Sequence, residues 1–236
     1  MKLSTDGLII RERKISENDR LITVLTADLG VIRAFVKGAL KVSSKRIGAT
    51  GMLSYSRLSL NFSRDTYKVR EASVNKVFFS LRESIEKYAL ACYMCELVEN
   101  LAPSEEPAKE FLSPVLNSLY LLNENKLPPK QIKAVFELRA ACLSGYTPDL
   151  FGCHICGNQS PDRFDLSAGQ LECGSCRSRE SRGIRMPVTA PLLEAMRYIC
   201  LCDPQRLFSF QISQETLALL GNLTEAYLTT QLERGF

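Results

Sequence analysis

Four of the nine cysteines are spaced as the ligands of one metal ion. They form two C-x2-C pairs separated by sixteen residues: Cys153, Cys156, Cys173 and Cys176. Two residues between thiols let a tight turn aim both sulfurs at one ion, and a second such turn completes a tetrahedron. The spacing is typical of four-thiolate zinc sites. The sequence therefore predicts a structural Zn²⁺ site inserted at 150–178.

Disulfide bonds are the alternative use of these cysteines. The odd cysteine total, and the charges in the first fifteen residues, which argue against a secretion signal, make this the weaker interpretation. His154, the one histidine, lies between two proposed ligands and could replace a sulfur, but four thiolates already fill the coordination sphere. The remaining cysteines, such as Cys92 and Cys95 in an apolar helical stretch, are interpreted as small core residues.

The same residues argue against an enzyme. The one histidine is bracketed by cysteines, which removes the usual general base. The chain contains no G-x-S-x-G, Walker-type or G-x-G-x-x-G motif. A zinc ion held by four thiolates has no open position for water, so its role would be structural. We therefore expect a protein without catalytic residues.

Charge is distributed unevenly along a chain of globular composition. Of the 236 residues, 45% are apolar and 24% are charged. Residues 1–82 carry 16 Lys and Arg against 7 Asp and Glu, whereas 83–236 carry 14 against 19. A basic first third suggests a module that faces a polyanion, although ordinary surface charge is the alternative. No apolar run reaches about 18 residues, so we expect no membrane span and a cytoplasmic protein.

The first third of the chain has the pattern of strands. Alternating or β-branched runs predict strands at Gly7–Arg13, Arg20–Thr26, Val31–Val36, Met52–Phe62 and Tyr67–Val74. The glycine- and serine-containing stretch Lys37–Gly51 predicts a mobile loop. Five short strands in about 75 residues, without a long helix, favour a small antiparallel barrel.

After Leu81 the apolar residues recur with the spacing of amphipathic helices. The predicted helices are 83–101, 108–123, 130–144, 190–201 and 213–233, with prolines and glycines at the breaks. The predicted fold class is therefore α+β. A small β-barrel of the OB-fold type occupies 1–80, and an all-α domain occupies 81–236, with the four-cysteine zinc site inserted in it.

Basic residues cluster around the predicted loop and the hairpin that follows it. The candidate DNA-binding residues are Arg33, Lys37, Lys41, Lys45, Arg46, Arg57, Arg64, Lys68 and Arg70. Such a surface can guide a phosphate backbone while aromatic rings stack on bases. Tyr55, Phe62 and Tyr67 could supply those rings, although core packing is favoured for Phe62. A further basic group, Arg177, Arg179, Arg182 and Arg185, could contact DNA or an acidic partner, or form a solvated linker.

Several stretches of the chain form a distinctive series. They are 17–26 (ENDRLITVLT), Gly30, 37–39 (KGA), 93–97 (YMCEL), 136–139 (FELR), 145–150 (GYTPDL) leading into Cys153, and Phe164, Gly169 and Leu171 before Cys173. In these stretches the chain resembles the RecO family of bacterial recombination mediators. These stretches span most of the chain in the family's order. The resemblance therefore concerns the whole chain rather than the cysteine motif alone.

The resemblance implies an N-terminal OB-fold, a helical C-terminal domain and, as in many members, a four-cysteine zinc site. It implies a protein that binds single- and double-stranded DNA, anneals complementary strands and helps to load recombinase in recombinational DNA repair. The implied partners are the ring protein RecR and the acidic C-terminal tail of single-strand-binding protein, in the bacterial cytoplasm at the nucleoid. A protein-interaction scaffold and a zinc-ribbon DNA-binding regulator are the alternative functions.

Overall fold

The structure, a computed structural model, describes residues 2–41, 44, 46–176 and 183–232. The chain forms two compact units, Met1–Lys126 and Leu127–Phe236. Among the described residues, no helix combines the length and the apolar character that crossing a bilayer requires. The first unit extends past residue 80, since it also contains the two helices that follow the barrel. The domain boundary after residue 80 therefore remains a prediction.

Five strands close into the barrel of the first unit. They are β1 (Lys2–Lys14), β2 (Arg20–Thr26), β3 (Gly30–Val36), β4 (Ser54–Ser63) and β5 (Thr66–Val77). Their order around the barrel is β1-β2-β3-β5-β4, with β4 paired to β1 and β3 parallel to β5. Alternate residues such as Ile9, Val24 and Leu58 fill the interior. The predicted barrel is confirmed, but it is not wholly antiparallel, because β3 and β5 close it as a parallel pair. Strand β1 begins five residues earlier than the sequence pattern indicates.

Two helices of the first unit cover part of the outside of the barrel. They are α1 (Ile85–Leu101) and α2 (Lys109–Asn123), which contact β1, and α2 also contacts β2. Leu8 precedes the interior residue Ile9 and lies on the outer face of β1, and both Leu8 and Ile10, which sits at a β-bulge of this strand, are fully buried. Since exposed apolar side chains at these positions would be unfavourable, the helices complete the hydrophobic core of this unit.

The backbone of the β2–β3 turn is in close contact with the connection between α1 and α2. Gly30 has a φ of +61°, and a Cβ atom built on it would overlap the carbonyl oxygen of Pro103. The neighbouring N–H of Val31 donates to that same oxygen at 2.9 Å. Only glycine combines this left-handed conformation with such a close approach of two backbones.

Replacing Gly30 with alanine is therefore expected to destabilise the first unit. Backbone strain and the clash with Pro103 together should lower the free energy of unfolding by about 3 kcal/mol or more. Gly38 is the matched control, because its φ is +66° but the nearest atom to an added Cβ lies 3.7 Å away. Gly38→Ala should cost about 1 kcal/mol, from strain alone. Equal losses in urea unfolding of the two variants would contradict this account.

The second unit packs three helices with a small sheet. The helices are α3 (Pro129–Leu143), α4 (Ala190–Leu201) and α5 (Gln214–Leu232). The strands β6 (Asp149–Cys153), β7 (Arg163–Asp165), β8 (Gln170–Glu172) and β9 (Arg185–Pro187) form a sheet of order β6-β8-β7-β9. The helical body follows the prediction. The sheet was not predicted, because strands of three residues are too short to show an alternating pattern.

Candidate metal centre and nucleic-acid interface

The four predicted ligand cysteines lie together at one end of the small sheet. Cys153 ends β6, and Cys173 directly follows β8, whose Leu171 pairs with Cys153. Each C-x2-C pair forms a tight turn, closed by an N–H from Gly157 to the Cys153 carbonyl at 2.8 Å and from Cys176 to the Cys173 carbonyl at 3.0 Å. The sheet brings the two turns face to face, so residues twenty positions apart share one site.

The sulfur positions fit a single tetrahedral ion. The Sγ atoms of the four cysteines all lie within 4.8 Å of one another. Those of Cys156 and Cys173 are 3.9 Å apart. A zinc ion about 2.3 Å from each thiolate requires sulfurs separated by roughly 3.8 Å. The geometry therefore suits a metal ion bound by four thiolates.

Hydrogen bonds act differently on the four thiols. Donors to the Cys153 sulfur favour its thiolate, whereas contact with the Cys156 thiol raises the pKa of Cys176 to about 11, and the pKa of Cys173 is also raised despite its Asn158 donor. The N–H of Cys173 donates to the Cys153 sulfur at 3.3 Å, and the Asn158 amide donates to the Cys173 sulfur at 3.3 Å. Desolvation raises the pKa of Cys153, but backbone N–H donors from Cys156, Ile155 and Cys173 outweigh it and lower this pKa to about 6. A thiol of low pKa is ready to ligate a metal at neutral pH.

His154 lies beside the cluster rather than in it. Its imidazole Nε2 is 4.0 Å from the Glu172 carboxylate, and among the described residues the metal-ligating group contains the four cysteines alone. The buried Glu172 also forms an ion pair with Arg185, whose side chain is only 9% exposed. Arg185 pairs with Asp165 as well, at 3.6 Å. Of the basic group after the last cysteine, Arg185 is thus an internal residue, and Arg177, Arg179 and Arg182 lie outside the described residues.

The basic residues of the predicted loop surround a depression at the end of the barrel. It has a volume of about 780 Å³ and is lined by Ser16, Asn18, Asp19, Lys37, Gly38, Lys41, Ser44 and Arg46. Lys37 and Lys41 are exposed and form no ion pair with any described residue. Arg46 is half-buried and hydrogen-bonded to backbone, whereas Lys45 lies outside the described residues. The depression is therefore lined by two exposed ammonium groups and one anchored guanidinium.

The remaining candidate DNA-binding residues do not share one environment in the structure. Arg33 on β3 and Lys68 on β5 stand on the outer side of neighbouring strands. Arg33, Arg64, Lys68 and Arg70 are exposed and, within the described ranges, take part in no ion pair. Arg57 lies opposite Asp6 of β1 instead and pairs with it at 2.9 Å. Its charge is partly neutralised by that carboxylate.

The aromatic residues near these cations are half-buried. The rings of Phe62 and Tyr67 pack against each other with centroids 4.7 Å apart. Tyr67 also packs against the barrel core. Tyr55 is partly buried as well, and this burial raises the pKa of its hydroxyl. The rings of Phe62 and Tyr67 are occupied by protein contacts, so the charged side chains are the stronger candidates for nucleic-acid contact.

Comparison with known proteins covers almost the whole chain. A model described as "Recombination protein O N terminal" matches residues 1–78, and one described as "Recombination protein O C terminal" matches residues 82–236. The DNA repair protein RecO of Acetivibrio thermocellus is 32% identical over 236 residues, which cover 99% of this chain and 93% of that protein. DNA repair proteins RecO of Alkaliphilus metalliredigens (99% of this chain, 95% of that protein) and Symbiobacterium thermophilum (98% and 92%) are 26% and 28% identical.

Proposed function

We propose, because this chain belongs to the RecO family of DNA repair proteins, that it anneals complementary DNA strands and assists recombinase loading in recombinational repair. The proposed activity requires no enzymatic chemistry, since base pairing supplies the free energy. The observation that carries the proposal is a group of exposed cations on the loop and strands of the barrel that have no ion-pair partner among the described residues: Arg33, Lys37, Lys41, Arg64, Lys68 and Arg70.

The proposed mechanism is electrostatic. Two complementary strands are both polyanions, and their repulsion opposes the first base pairs. Lysine and arginine side chains that neutralise phosphates release condensed counterions and hold a backbone at the protein surface. A strand held in this way meets its complement with a reduced charge density. Both single- and double-stranded DNA are ligands of such a surface, because it contacts phosphates rather than base edges.

Zinc has a separate role in this proposal. Cys153, Cys156, Cys173 and Cys176 would hold Zn²⁺, and with all four positions filled by thiolates the ion supplies structural support. The ion would connect β6 to the end of β8 and so stabilise the sheet of the second unit. The DNA contacts of the barrel would then depend on the metal only indirectly.

The proposed partners follow from the family. They are a RecR-type ring protein and the acidic C-terminal tail of single-strand-binding protein, and the place of action is the bacterial cytoplasm at the nucleoid. A scaffold that binds acidic proteins remains the second candidate, because the same cations would also attract carboxylates.

Strand annealing tests the proposal directly. Complementary oligonucleotides, bare or coated with single-strand-binding protein, should anneal faster with this protein, and bare strands should show the effect most at low salt. A titration of fluorescent oligonucleotide against a peptide ending in acidic and aromatic residues separates the two candidates. Peptide binding without oligonucleotide binding at low salt would favour the scaffold and overturn the annealing proposal.

A further inference from the structure

Asp19 and Arg46 form hydrogen bonds to the two polar groups of one peptide bond in the basic loop, its N–H and its carbonyl. The N–H of Gly38 donates to Asp19 Oδ1 at 2.7 Å. The carbonyl of Lys37, on the other side of the same peptide bond, accepts from Arg46 Nη2 at 2.8 Å. Both partners are charged, and hydrogen bonds to charged groups are shorter and stronger than neutral ones. The Lys37–Gly38 peptide plane is therefore held in one orientation.

Arg46 also ties this peptide to the wall of the barrel. Its Nη1 donates to the carbonyls of Val69 and Arg70 on β5, at 3.4 and 3.3 Å. The backbone of Arg46 is held in turn by Thr50, whose Oγ1 donates to the Arg46 carbonyl at 2.7 Å. With three backbone carbonyls as acceptors, much of the rigid guanidinium fork is committed within the protein. Little of it remains to form a bidentate contact with phosphate.

We infer that Asp19 and Arg46 are positioning residues of the DNA surface: they clamp the Lys37–Gly38 peptide so that Lys37 and Lys41 project together at the depression. This inference rests on the proposed function, because it assumes that these lysines contact phosphates. A side chain whose backbone is held in place loses less conformational entropy on binding than one on a free loop. In this inference the Asp19 carboxylate favours DNA binding, although it is negatively charged, because it orders the loop that carries the two lysines.

Asp19→Ala separates positioning from charge, because the two effects have opposite signs. The change removes a negative charge beside Lys37 and Lys41, so electrostatics alone predicts tighter DNA binding. Loss of the acceptor of Gly38 releases the clamp, so positioning predicts binding about fivefold weaker. Asp19→Asn keeps an oxygen acceptor and should restore at least the wild-type affinity. The measurement is fluorescence titration of a labelled single-stranded oligonucleotide at low salt.

Arg46→Lys is the matching test on the other side of the peptide. Lysine keeps the charge but cannot bridge three carbonyls, so this variant should bind as weakly as Arg46→Gln. In addition, Lys37→Gln should lose most of its effect in the Arg46→Lys background, because a displaced Lys37 no longer contributes. If Asp19→Ala unfolds the barrel, this pair of variants decides the question alone.

The clamp and the proposed function fail in different ways. Absence of oligonucleotide binding by the wild type at low salt would overturn the DNA-binding proposal itself. Wild-type binding together with unchanged or tighter binding by Asp19→Ala, or with Arg46→Lys equal to wild type, would overturn the clamp alone. Faster amide exchange at Gly38 in Asp19→Ala, with unchanged exchange at core strand positions, is the accompanying structural signature.

Discussion

With Zn²⁺ held by the four cysteines as proposed, Cys153→Ser is expected to release the ion and to open the small sheet of the second unit. Structural zinc contributes on the order of 10 kcal/mol in small sites, and three-residue strands have few backbone hydrogen bonds of their own to replace it. The opening should reach the helices, because the fully buried Phe164 of β7 packs edge-on against Tyr227 of α5 with ring centroids 5.3 Å apart. Metal analysis and amide exchange at 163–172 would measure both effects.

Cys202→Ser is the control for this experiment. Cys202 is a half-buried thiol of the same unit and lies outside the metal-ligating cluster. Its replacement should leave the metal content and the exchange of the sheet unchanged. Oligonucleotide binding by Cys153→Ser should stay within about twofold of wild type, since the exposed cations lie on the barrel. The structural role of the metal would be contradicted if reduced wild-type protein contained no zinc. It would also be contradicted if the amides of the sheet in Cys153→Ser exchanged as slowly as in the wild type.

Replacing Lys37, Lys41 and Lys68 together with glutamine is expected to weaken DNA binding and flatten its salt dependence. Each phosphate contact on a single strand contributes about 0.7 to the slope of log K against log salt. Loss of three contacts should therefore reduce the slope by about 2 and weaken binding on the order of tenfold at moderate salt. Titrations of a labelled oligonucleotide at several salt concentrations would measure the slope.

A variant of equal charge provides the control for the lysine substitutions. Lys109, Arg163 and Arg206 are exposed residues outside the basic clusters of the barrel. Replacing these three with glutamine lowers the net charge by the same amount. If the barrel surface holds the DNA, the control should keep nearly the wild-type slope. Equal slopes for the two triple variants would show that overall charge, rather than this surface, governs binding.

Local sequence pattern was sufficient for the barrel and for the cysteine ligands. Alternation along β4 places Leu58 and Leu60 inward and Ser59 on the other face, as the structure confirms. Two C-x2-C turns predict a metal site because each turn forms from four neighbouring residues. The short strand β9 could not be predicted, since its three residues show no alternating pattern and its partners in β7 lie 20 or more residues away.

The role of individual cations was the part that sequence could not determine. Composition marks Arg46, Arg57 and Arg185 equally as basic residues, yet the first is bonded to backbone carbonyls and the other two to carboxylates. Asp19 was not a candidate at all, because an acidic residue has no evident place in a site for phosphates. Its proposed positioning role rests on its contact with Gly38, nineteen positions along the chain.

The sequence by itself determined the fold class and the four ligand cysteines, because these depend on residue types at short, regular spacings. The family was recognised separately, from stretches that resemble it along most of the chain. Only the tertiary structure decided which positive charges are free to meet a polyanion. An ion pair such as Arg57 with Asp6 joins residues 51 positions apart. Whether such a pair forms depends on strand order and register, which arise when the barrel closes and leave no local mark in the chain.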